Sequence, residues 1–95
     1  MATLTGDELA TAQAQLTGWI VEGDGDDTLA KTYRFQTFPE GITFVDRVAQ
    51  VAEQAGHHPD IDIRYTTITV RLSTHDEGGV TQKDVDMASR IDALV

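Results

Sequence analysis

The sequence predicts an α+β fold: a four-stranded antiparallel sheet with three helices packed on one face, in the order α-β-β-α-β-β-α. Three observations predict it. Apolar and polar residues alternate on both sides of a short link between Ile61 and Ser73. An apolar stripe at helical spacing runs from Pro39 to Ala55. Two Thr-x-x-acid sequences open periodic stretches near the two ends of the chain. Each hairpin has one apolar face, and helices laid on that face bury it.

The elements follow in order. Thr5-Gly6-Asp7-Glu8 has the form of a capping box and opens a short helix with Leu9, Ala12 and Leu16 on one side; Thr17-Gly18 ends it. Trp19 to Glu22 and Thr28 to Phe35 read as a hairpin across the turn Gly23-Asp24-Gly25-Asp26-Asp27. Leu29, Tyr33 and Phe35 share a face, which Lys31 interrupts, so this residue is expected near a sheet edge. Pro39 suits the first turn of a helix and Gly56 its end. Between them Ile42, Val45, Val48, Ala49 and Ala52 form the stripe, and Phe44, Val51 and Ala55 widen it. Such a broad apolar girth predicts contact with a second subunit as well as with the core. Ile61, Ile63 and Tyr65 alternate with Asp62 and Arg64; Ile68, Val70 and Leu72 alternate with Thr69, Arg71 and Ser73. A link at Thr66-Thr67 makes these strands a hairpin in which paired positions sum to 133, so Asp62 faces Arg71. Thr81-Gln82-Lys83-Asp84 is a capping box with Asp for Glu, and Val85, Ala88, Ile91 and Leu94 line the last helix.

Composition narrows the function. The chain of 95 residues, 40% hydrophobic, supports one core, and residues 1–95 are read as one domain. There is no cysteine, which excludes disulfides, zinc ribbons and thiol nucleophiles. No apolar run approaches the roughly 20 residues of a membrane span. Met1 to Thr5 has neither the basic region nor the apolar stretch of a signal peptide, so a cytoplasmic location is expected. With 7 basic and 16 acidic residues the net charge is −9, which repels phosphate backbones and anionic membranes. Neither nucleic acid nor membrane is expected as a partner.

The candidate chemistry lies in the histidines, His57, His58 and His75. Extending the expected register places His58 opposite His75, so the imidazoles gather at one end of the sheet. Glu53 precedes His57 by four residues and shares its helical face if the helix continues. Three His and one Glu permit a zinc site. Adjacent His57 and His58 on irregular backbone point apart, which makes joint ligation awkward and favours acid/base chemistry, because histidine titrates near pH ~6.5 and both gives and takes protons. Three unrelated polar residues at element ends is the remaining alternative.

Glu53-Gln54-Ala55-Gly56-His57-His58-Pro59, Tyr65, Leu72-Ser73-Thr74-His75-Asp76, Gly79 and Asp84 together resemble the pterin-4a-carbinolamine dehydratase family, with a similarity running from about Leu16 to Leu94. The resemblance implies the fold reached above and a hydro-lyase activity. Members remove water from 4a-hydroxytetrahydropterin, giving quinonoid dihydropterin, and so recycle the pterin of aromatic amino acid hydroxylases. It implies a pterin substrate, no metal and no organic cofactor; the broad apolar girth of the Pro39–Ala55 helix is what predicts a homodimer or homotetramer. The resemblance assigns catalysis to His57, His58 and His75, with His57 and His75 moving protons and His58 holding the pterin. Glu53, Trp19, Ser73 and Thr74 are the implied substrate-binding residues. For Trp19 core or rim packing is weighed as well, for Asp84 a helix cap, and for Tyr65 simple packing. Three positions depart from relatives: Ile61 stands for an aromatic residue, Gly56 for an acid and Thr66 for a turn Asn. Some relatives instead act as a transcription cofactor or a carboxylase assembly factor, a binding role that does not need the histidines.

Overall fold

A computed structural model describes residues 3–23 and 27–95. The elements are α1 (Gly6–Gln15), β1 (Ile20–Glu22), β2 (Thr28–Arg34), α2 (Phe38–Ala55), β3 (Asp60–Arg64), β4 (Thr67–Leu72), a 3₁₀ turn (His75–Glu77) and α3 (Gln82–Asp92). The order is the one the sequence predicts. The centre of the expected Gly/Asp turn lies outside the described residues. The four strands form one antiparallel sheet in the order β1-β2-β4-β3.

Local chemistry starts and stops the helices as expected. The Thr5 hydroxyl accepts from the Glu8 N–H (3.2 Å) and the Glu8 carboxylate accepts from the Thr5 N–H (2.9 Å). Thr81 and Asp84 close the same box on α3. Thr37 caps α2, Pro39 occupies its first turn, and Gly56 ends it with φ +64°, a left-handed conformation that glycine adopts without strain.

The core lies between the helices and one face of the sheet. Leu29, Tyr33, Ile68, Val70 and Leu72 point into it and meet Leu9, Leu16, Phe44, Val48, Met87, Ala88 and Ile91. The buried stripe of α2 is Gly41, Phe44, Val48 and Ala52, with Ile42 and Ala49 exposed. The stripe is therefore turned from the expected one. Phe44 moves inward because its ring packs on Tyr33 (centroids 4.7 Å apart) and Phe35 (5.2 Å). Gly41 lies on the same stripe, where a Cβ would make ordinary van der Waals contact with Ile68 and Phe35 at 3.5 Å.

The structure corrects two expectations about the sheet. Ile61 faces Val70 and Ile63 faces Ile68, so paired positions in β3 and β4 are shifted by two from the expected register. The turn is Tyr65-Thr66, and Tyr65 adopts φ +53°, costly for a residue other than glycine. A shift of two leaves every side chain on its face, so the apolar pattern is blind to it. Asp60, not Asp62, then faces Arg71; Asp62 pairs with Arg64 (3.3 Å) and Arg71 with Glu22 (3.1 Å).

Lys31 is the second correction. It stands mid-strand in β2, an interior strand, with its stem on the core side. Its ammonium donates to Asp92 Oδ1 (2.8 Å) and to the Thr17 carbonyl (3.0 Å). The Tyr33 hydroxyl donates to the same Oδ1 (2.6 Å) and the Trp19 indole N–H to Oδ2 (3.0 Å). A long lysine stem can cross apolar surface and still deliver its charge. Burial pushes the Asp92 carboxyl up, but the hydrogen bonds from Lys31, Tyr33 and Trp19 outweigh it and hold the carboxyl below its ordinary value. Burial, then the bond to Asp92, pushes the Tyr33 phenol up.

Asp92→Ala should lower stability by about 2–3 kcal/mol, since it strips charge-assisted hydrogen bonds from three partners. Urea unfolding at pH 7 reads this as a lower midpoint. A depressed folded-state carboxyl stabilises above its unfolded value of ~3.9 and loses that contribution as pH falls through the folded value. The gap between wild type and variant should therefore narrow in acid.

Candidate active site

The site is built where α2 ends and α3 begins. The left-handed turn at Gly56 takes the chain off the helix axis, and the His57 N–H still bonds back to the Ala52 carbonyl (3.1 Å). His57 thus leaves α2 with its ring against α3. Its Nε2 lies 2.5 Å from Asp84 Oδ1. Asp84 is fully buried.

Oδ2 of Asp84 accepts from the Thr81 backbone N–H (2.9 Å) and from the Thr74 hydroxyl (2.8 Å). The Thr74 and Thr81 hydroxyls are 2.8 Å apart. Thr74 gives its one proton to Asp84, so Thr81 donates to Thr74 and accepts from the Lys83 N–H (3.3 Å). Oδ2 is filled by these donors, which leaves Oδ1 to the His57 ring. Opposite a carboxylate, Nε2 is the donor and Nδ1 is the other ring nitrogen.

Glu53 is paired differently from the expectation. Because α2 stops at Ala55, His57 is not on the helical face of Glu53. The carboxylate instead bonds His58 Nε2 at 2.8 Å, and both side chains are largely exposed. His75 opens the 3₁₀ turn and is exposed; among the described residues its ring makes no hydrogen bond. Thr74 is buried and fixes this segment through its backbone bridge to Gly79 (N–H to carbonyl, 2.8 Å).

The histidines share one end of the sheet because β3 begins at Asp60 and the antiparallel β4 ends at Leu72. The direct facing of His58 and His75 does not hold: the observed register, extended, sets position 58 beside Ser73. His75 is tied to His57 through Thr74 and Asp84 instead. Ser73 is half-buried and donates to the Asp27 carbonyl (3.3 Å). Trp19 is not brought to the histidines. It is 2% exposed, packed edge-on against Tyr33 and bonded to Asp92, about 12 Å along α3 from Asp84. Its implied contact with substrate thus gives way to core packing. Tyr65 stands at the opposite end of β3 from the histidines, exposed and stacked on Phe38 (centroids 6.4 Å) rather than packed in the core.

A crevice of 220 Å³ opens beside His57, lined by Ala55, Lys83, Asp86, Met87 and Arg90. Among the described residues no three His, Asp or Glu side chains form a group able to hold a metal ion. Sequence reasoning takes Asp84 as a cap, which it is, and misses its second role. The signal is present: Asp84, Ala88 and Ile91 recur at helical spacing, so the carboxylate falls on the buried stripe of α3 and needs a partner.

Known proteins share this chain's sequence and fold. Residues 2–94 match the family described as pterin 4 alpha carbinolamine dehydratase. A relative from Nocardia farcinica is 48% identical over 91 residues, covering 96% of this chain and 93% of its own. One from Roseiflexus castenholzii is 48% identical over 96 residues, covering both chains entirely. Both carry the name "Putative pterin-4-alpha-carbinolamine dehydratase". Among solved structures, a transcriptional coactivator/pterin dehydratase from Brucella melitensis superposes with a TM-score of 0.90 at 34% identity, covering 97% of each chain. A pterin dehydratase-like protein described as a RuBisCO assembly factor in the alpha-carboxysome gives 0.70 at 26%, covering 81% of this chain and 88% of that one. With a match across nearly its whole length, the chain belongs to the pterin 4 alpha carbinolamine dehydratase family.

Proposed function

We propose that the protein dehydrates a 4a-hydroxytetrahydropterin to the quinonoid dihydropterin by histidine acid/base catalysis, serving pterin recycling in the cytoplasm. The observation that carries this reading is the buried His57–Asp84 pair, with His58 and His75 at the same end of the sheet. In the reaction the C4a–O bond breaks, and the hydroxyl leaves as water with a proton supplied by an acid. A ring C=N bond forms, and a base takes a proton from a ring nitrogen. His57 supplies the first proton from Nδ1, while Asp84 orients the ring and balances its charge in the doubly protonated form. His75 takes the second. His58, held by Glu53, binds the pterin. Ser73 and Thr74 present the strand end to it.

The division of labour is tested by steady-state kinetics on 4a-hydroxytetrahydropterin. His57→Ala and His75→Ala should each lower kcat on the order of 10²-fold, and the double variant should lose less than the product. Asp84→Asn should lower kcat about as much as His57→Ala does, because an amide facing Nε2 selects the wrong tautomer. His58→Ala and Glu53→Gln should mainly raise KM. Wild-type constants in all the histidine variants would overturn the catalytic reading and favour a binding module, as the RuBisCO assembly factor is described.

No metal takes part in this scheme. Dialysis against chelator should leave the rate unchanged; loss of activity with recovery on adding zinc would overturn the scheme. The protein works as a homodimer or homotetramer, a reading supported by the exposed apolar side chains Phe38, Ile42, Ile63 and Tyr65. Sedimentation at micromolar concentration should show no dominant monomer.

A further inference from the structure

The crevice beside His57 has more cations than carboxylates, in a protein of net charge −9. Of 7 basic residues, Lys31, Arg64 and Arg71 are paired with carboxylates. Lys83 and Arg90 are not. Among the described residues the Lys83 ammonium has no partner, and Arg90 bonds only the neutral amide of Gln54 (3.4 Å). Both line the crevice, two turns apart on α3, about 10 Å along its axis. Arg34 and Arg47 also lack carboxylates but stand apart from each other, on the sheet and on α2. The crevice has an apolar part, Ala55 and the buried Met87, and one acid, Asp86, which accepts from Gln82 (2.9 Å).

We propose that this crevice receives the side chain of the pterin and that this side chain ends in a phosphomonoester. The inference rests on the dehydratase reading for the ring and adds the class of its substituent. At 220 Å³ the crevice is smaller than the ~300–1,000 Å³ that encloses a whole ligand, so it takes a part of one. His57 at its edge joins it to the site of proton transfer. A phosphomonoester carries about −1.5 to −2 charge at neutral pH, and the two cations of the crevice outnumber its one carboxylate, Asp86. Arg90 offers a planar fork to phosphate oxygens and Lys83 a mobile point charge. A neutral side chain would use neither.

The test is equilibrium binding to the full chain, read by pterin fluorescence, with three 7,8-dihydropterins whose side chains end in hydroxyl, carboxylate or phosphate. The phosphate ligand should bind about tenfold tighter than the hydroxyl ligand, about threefold from each half-exposed ion pair. Lys83→Gln and Arg90→Gln should each reduce that ratio about threefold, and the double variant should bring it near one. Asp86→Asn should raise it, and added salt should lower it. A wild-type ratio near one, or a carboxylate ligand bound as tightly as the phosphate, overturns the inference. Turnover of the unphosphorylated 4a-hydroxytetrahydropterin is measured in parallel. Its absence counts against the dehydratase reading, while the binding ratio alone decides this one.

Discussion

The arrangement of the site depends on one buried carboxylate. Asp84 has no exposed surface, and an ion in that position is tolerable only if its oxygens are saturated with donors. Its donors come from three separate stretches of chain: His57 after α2, Thr74 after β4, and the Thr81 backbone at the start of α3. The need to satisfy one acid therefore pulls three connections together. The carboxylate that caps α3 through Oδ2 also holds the imidazole through Oδ1, so helix initiation and ring orientation cannot be separated at this position.

A second carboxylate, Asp92, anchors the other end of α3, gathering Trp19, Lys31 and Tyr33. The two acids have opposite surroundings. Around Asp84 the partners include an ionisable ring whose other nitrogen is free. Around Asp92 they are an indole, a phenol and an ammonium, all of them donors that remain protonated at neutral pH. The second arrangement holds a helix against a sheet. An acid near a helix C-terminus is unfavourable in itself, and the Lys31 charge offsets that.

Much of this was legible in the residues. Alternation in Ile61–Arg64 and Thr67–Leu72 identifies the second hairpin and its inner face, and the Thr5, Thr81 and Gly56 signals mark helix ends that the structure confirms. What was not legible has physical causes. Register was lost because alternation has period two and Tyr65 takes a left-handed turn conformation that its chemistry does not advertise. The partner of Glu53 is not legible because one glycine decides whether the helix carries on to position 57; it stops, and Glu53 meets His58. Lys31 looked like an edge residue because the acid that stabilises it lies 61 positions away. The gathering of the histidines at one sheet end followed from strand direction alone; the bonds linking them did not, since Thr74 and Asp84 look like ordinary strand-end and cap residues.

The strand order has a kinetic meaning. Each hairpin pairs neighbours in the chain, but the sheet becomes one only when β2 meets β4, joining positions such as Arg34 with Thr67 and Leu29 with Leu72. That step must close a loop containing all of α2 and β3, and the entropy of closure falls on it before any contact rewards it. The hairpins can form early and locally, whereas the pocket chemistry, which needs α2, β4 and α3 in register at once, is assembled only after that long loop has closed.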